Sequence, residues 1–177
     1  INDKVSLDFN ISNKILIVST IVFFHLIPFL FEKKFLNEFI LSVKKNFFLV
    51  LIFFIINIYF FDYLRAFTGG GFFFQLSLFL FNNNLIFFIF SFFSLLIIIY
   101  LIKSKFINFL LFLLLILSNI QNTIYHKYYD PLIMILFFLL FVHFLPIKFL
   151  SRKRNLIFIY LFYLSFISFR IIKNSFL

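Results

Sequence analysis

Residues 82–155 read NNNLIFFIFSFFSLLIIIYLIKSKF (82–106), INFLLFLLLILSNIQNTIYHKYYD (107–130), PLIMILFFLLFVHFLPIKFL (131–150) and SRKRN (151–155). Three apolar runs follow one another through short polar joints, and no run holds an acidic residue. Runs of this length and purity are what a helix needs to cross about 30 Å of hydrocarbon. Inside lipid, every backbone N–H and C=O must be satisfied within the segment, which favours helices. The stretch therefore reads as membrane interior, and the rest of the chain extends it on either side.

Composition agrees. The 177 residues are 64% hydrophobic and 12% charged, against roughly 45–50% and 25% in soluble domains. A soluble fold of this size buries only about 70% of its unfolded surface, too little to hide so much apolar area. Phe occurs 37 times, Gly and Pro three times each, and Ala once, at Ala66. Phe, Ile, Asn, Lys and Tyr have AT-rich codons, so the gene is expected to be AT-rich, as small organellar genomes are. Ile1 in place of Met fits a trimmed N-terminus or a non-standard start codon. Together these point to a mitochondrially encoded, multi-pass protein of the inner membrane.

The fold expected is all-α and integral to the membrane, with about six transmembrane helices. A polar segment 1–14 precedes a single helical domain, 15–177. Spans are predicted at 15–31, 47–64, 85–102, 106–122, 131–147 and 156–172. In the joint 32–46, Phe35, Leu36, Phe39, Ile40 and Val43 fall on one side and charges on the other, which predicts an interfacial helix. Residues 65–84 are predicted to be a loop or a re-entrant segment. Pro28 should kink or end the first span, since its ring removes an N–H and crowds the preceding turn. Asp130-Pro131 has the form of an N-cap followed by a first-turn proline.

The net charge of +10 does not indicate nucleic acid. Ten of the sixteen basic residues lie in the joints 32–46, 103–105 and 148–154, where the positive-inside rule collects them.

Chemistry-bearing motifs are sparse. There is no Cys, so thiolate metal sites and a Cys nucleophile are excluded. Thr68-Gly69-Gly70-Gly71 holds every glycine but lacks the spacing of a phosphate-binding loop, and reads as a turn. The six acids sit in joints or at span ends. His25, His126 and His143 share no helix and no i,i+4 spacing with one another. No catalytic residue, cofactor or metal is expected. The polar positions singled out are His25, Asp130, His143, Arg152 and Arg154. An intramembrane His is a pointer to proton transfer or ligation; for His25 the plainer reading is a neutral imidazole hydrogen-bonded to a neighbouring helix.

Four short segments carry a resemblance. They are Asn84-Leu85-Ile86-Phe87-Phe88, Lys103-Ser104-Lys105-Phe106-Ile107-Asn108, Asp130-Pro131-Leu132-Ile133 and Arg152-Lys153-Arg154-Asn155. In this order, over residues 84–172, the chain resembles the N-terminal part of subunit 2 of respiratory complex I (NADH:ubiquinone oxidoreductase), in a divergent, ciliate-like, mitochondrially encoded version. The resemblance implies the leading helices of an antiporter-like subunit in a proton-pumping membrane arm. It implies other membrane subunits and phospholipids, cardiolipin among them, as partners, and no activity for the chain by itself. The family carries a Glu in the helix that follows the Asp130 motif. Residues 139–141 hold no acid, so the implied contribution is mainly structural. The alternative expectation is a structural membrane subunit of cytochrome oxidase, the bc1 complex or ATP synthase.

Overall fold

The computed structural model describes residues 10–31, 33–64, 69–104, 106–118, 123–135 and 152–176. Among these residues the chain is all-helical, with no strands. Seven α-helices occur: α1 (Ile11–Leu26), α2 (Lys33–Tyr59), α3 (Gly71–Phe81), α4 (Leu85–Ser104), α5 (Phe106–Leu117), α6 (His126–Ile135) and α7 (Lys153–Phe176). Among the described residues, four segments are long and apolar enough to cross a membrane: Ile11–Leu30, Phe35–Tyr59, Leu85–Ile102 and Lys153–Ile171. The protein is an all-α membrane protein by this architecture.

The bundle is built around α1. Its sequence is apolar on every side, as a helix surrounded by others must be. Leu16, Ile17 and Val18 are fully buried, and α2, α3, α4, α5 and α6 all pack on α1. Asn10 caps its start, the side-chain oxygen accepting the Asn13 N–H at 3.0 Å. Its end is set by Pro28, as expected: the α-helix stops at Leu26 and continues as a 3-10 turn, Ile27–Phe31.

Helix association in lipid relies on packing and not on escape from water. With one Ala and three Gly, the chain has few of the small residues that let helices approach closely. Buried Ser19 and Thr20 on α1 and Ser91 and Ser94 on α4 supply some of this role. Aromatic contacts supply the rest. Phe73 of α3 stacks on Phe90 of α4 with ring centroids 4.1 Å apart. Phe24 lies 5.2 Å from Phe72, 5.0 Å from Phe162 and 4.8 Å from Phe166.

Three expectations are corrected. The interfacial helix 32–46 and the span 47–64 are not separate elements; they form one 27-residue helix, α2, ending at Tyr59. Asn46, at the junction of the two predicted segments, does not break it, because the Asn46 amide donates to the Ser42 carbonyl within the same helix at 2.8 Å. Secondly, of the two readings of 65–84, a loop or a re-entrant segment, the plain loop is the one corrected. The stretch contains α3, too short to span at about 1.5 Å per residue, packed against α1 and α4. Thirdly, Asp130 is not an N-cap. Helix α6 begins at His126 and carries Pro131 in its interior, at the cost of one backbone hydrogen bond.

The predicted spans 15–31, 85–102 and 156–172 match long helices closely. Span 106–122 is helical to Leu117, and residues 119–122 lie outside the described residues. Span 131–147 is helical to Ile135, with the remainder outside them.

The glycine run has a mechanical explanation. Gly70 N–H donates to the Ile124 carbonyl at 2.7 Å, while the Ile124 N–H donates to the Tyr63 hydroxyl at 3.1 Å. Burial pushes the Tyr63 phenol up to about 12, so it stays protonated. Gly70 has φ +93°, and a Cβ there would lie 2.3 Å from the buried Phe74 ring. Left-handed backbone and this overlap both disfavour any side chain. Gly70→Ala is expected to lower stability by about 1–3 kcal/mol, read as a fall in the thermal midpoint of the detergent-solubilised protein.

Candidate functional site

Helices α1, α6 and α7 bring four polar side chains together inside the apolar bundle. His25, on the penultimate position of α1, is 3% exposed. Its Nδ1 lies 2.9 Å from the Tyr163 hydroxyl of α7, and its Nε2 lies 3.1 Å from Asp130 Oδ1 of α6. His126 stands four residues before Asp130, one helical turn away on the same face. Its Nε2 is also 3.1 Å from Asp130 Oδ1, without the alignment of a hydrogen bond, and both of its ring nitrogens are buried with no hydrogen-bond partner.

Aromatic rings enclose the group. The Phe24 ring meets His126 edge-on at 5.1 Å, and the His25 and His126 rings are perpendicular at 5.5 Å. The Asp130 side chain is 41% exposed and opens onto a cleft of about 440 Å³ between α3, α6 and α7. Phe72, Phe166 and Phe169 form apolar walls there, while Gln75, Lys127 and Arg170 add polar groups. Burial pushes the Asp130 carboxyl up, but the two imidazoles on Oδ1 outweigh it and hold the group below the usual carboxylate range. The site thus presents an ionised carboxylate between two imidazoles, beside a cleft lined by both apolar and cationic side chains.

Of the positions singled out in the sequence, His25 and Asp130 meet here. His25 is hydrogen-bonded to neighbouring helices, which is the plainer reading. His143 lies outside the described residues. Arg152 and Arg154 are exposed at the start of α7 and take no part in the cluster. His126 and Tyr163 were not among the expected site residues. For His126 the signal exists: His126 and Asp130 are an i,i+4 pair of metal-ligand type, hidden by treating Pro131 as the helix start. Nothing in the sequence around Tyr163 distinguishes it from the other tyrosines.

No family model, curated protein or solved structure matches the chain.

Proposed function

We propose that the chain is a membrane subunit that works within a larger assembly, and that Tyr160 marks a face covered by a partner. Tyr160 is 74% exposed on α7, seven residues into the segment Lys153–Ile171, or about 10 Å along the helix. Its hydroxyl has no hydrogen-bond partner among the described residues. A phenol O–H at that depth in hydrocarbon is costly unless another chain accepts from it. The exposure of α2 and α7 supports the same reading. Only 11% and 6% of their spanning windows are buried by this chain, against 78% for α1.

The resemblance of residues 84–172 makes complex I the assembly we propose, in the mitochondrial inner membrane. The chain would contribute six crossings and mainly structure to a subunit 2-like position in the antiporter-like module. A photoreactive residue at position 160 tests the partner face in native membranes. Crosslinks to another polypeptide are expected. Crosslinks to lipid alone would remove the support for a subunit role.

A second reading rests on the cleft. Phenylalanine walls beside Lys127, Arg170 and Gln75 suit an anionic amphiphile, with its headgroup at the cations and its tail along the rings. On that reading the protein binds or processes a lipid-borne anion by itself. Saturable binding of an anionic lipid by the purified chain, lost with Arg170→Gln, would favour it over a purely structural role.

A further inference from the structure

We propose that His25, His126 and Asp130 form a binding site for a divalent transition metal of the zinc class. The three ligand atoms lie within 4.8 Å of one another, and each imidazole Nε2 is 3.1 Å from Asp130 Oδ1. A tetrahedral metal with bonds of about 2.0–2.2 Å spaces its ligands by roughly 3.3–3.5 Å. The carboxylate contacts need to open by a few tenths of an ångström, and the two imidazole nitrogens, up to 4.8 Å apart, to close by about 1 Å, both by side-chain rotation. Two imidazoles and one carboxylate favour zinc, nickel or ferrous iron over magnesium or calcium, which take oxygen ligands.

Two further observations support a ligand at this point. His126 has both ring nitrogens buried and without hydrogen-bond partners, an arrangement that costs free energy unless something else binds there. A metal on Nε2 would supply that partner. His25 has its other nitrogen placed as metal-ligating histidines do. With Nε2 on the metal, Nδ1 carries the proton and donates to the Tyr163 hydroxyl 2.9 Å away, which fixes the tautomer and the ring orientation.

The helices explain how the set is assembled. His126 and Asp130 project from one face of α6, and His25 comes from α1, so the metal ties the central helix to a short one. The ion would have three protein ligands, leaving a fourth position for water or an incoming group. The cleft lined by His126 and Asp130 gives that position access. Asp130 offsets one of the two positive charges, and an anionic fourth ligand from the cleft would offset the other, as a low-dielectric site requires. The site is independent of which assembly the chain joins.

The test uses the full chain in detergent, stripped with chelator and titrated with zinc or with cobalt as a coloured probe. One equivalent of zinc per chain after dialysis is expected, with visible cobalt absorption of low-coordinate type. Zinc should raise the thermal midpoint of the wild-type protein. His126→Leu, compared with its own metal-free midpoint, should lose most of the zinc-dependent rise and should weaken zinc binding at least tenfold. Tyr163→Phe should weaken it about tenfold. Failure of the wild-type chain to retain stoichiometric zinc or cobalt would overturn the proposal. So would unchanged affinity in both His126→Leu and His25→Gln. If His126→Leu does not fold, wild-type stoichiometry and the cobalt spectrum decide the matter.

Discussion

Phe24→Ala is expected to destabilise the isolated protein by about 3 kcal/mol, the lower end of the range for deleting a buried Phe. The ring is 2% exposed and touches α3 through Phe72, α6 through His126, and α7 through Phe162 and Phe166. The lower end applies because lipid is about as apolar as the core, so the lost free energy comes from packing and the cavity more than from transfer. Phe48→Ala is the control: at 77% exposed on α2, it should shift stability by less than about 0.5 kcal/mol. Thermal unfolding of both variants in the same detergent checks the pair. Equal effects would mean that Phe24 does not occupy the junction of α1, α3, α6 and α7.

Asp130→Leu in the metal-free protein is the second large effect expected. It removes the carboxylate that His25 Nε2 faces at 3.1 Å and leaves that nitrogen buried and unpaired, which costs about 1–3 kcal/mol. His25→Leu should cost a similar amount by breaking the bonds to both Asp130 and Tyr163. The double variant should lose clearly less than the sum of the two, with a coupling of about 0.5–3 kcal/mol. Apolar groups of similar shape replace both partners of that contact, so no buried imidazole nitrogen at position 25 is left without its carboxylate. Chemical or thermal unfolding of the four proteins gives the coupling directly. Additive losses would show that the 3.1 Å contact carries no energy.

Much of the fold is legible in the sequence, and the reasons are local. An apolar run long enough to span needs no information about its neighbours, so α1, α4 and α7 fall where hydropathy puts them. Pro28 ends α1 because proline chemistry acts within one turn. The misreadings occur where tertiary contact overrides local signals. The charges of 32–46 suggested a helix lying at the interface, yet α2 runs on through them. Its start is held against α4, where the Tyr100 hydroxyl donates to Glu38 at 2.8 Å. Its end is held against α1, where Asn10 and Asn13 both donate to Asp62 at 2.7 and 2.6 Å. Helix α3 follows glycines that look like a breaker, and is anchored by Ile124, over fifty residues away.

The site was half legible. His25 and Asp130 stand out as polar groups at apolar runs, but their meeting depends on α6 packing against α1, across 105 residues. A proline in second place after an acid usually opens a helix. Here α6 starts four residues before the acid, and only that earlier start puts His126 and Asp130 on one face. Tyr163 reaches His25 through the packing of α7, which no spacing in the chain encodes.

We propose that this chain works within a multi-subunit membrane assembly, complex I. Native electrophoresis of gently solubilised membranes, with the chain detected by antibody and NADH dehydrogenase activity stained in the same gel, tests it most directly. Co-migration with the activity in a band far larger than the 21.5 kDa chain is the expected result. Migration of the chain away from that activity, as a small species or with another complex, would contradict the assignment to complex I.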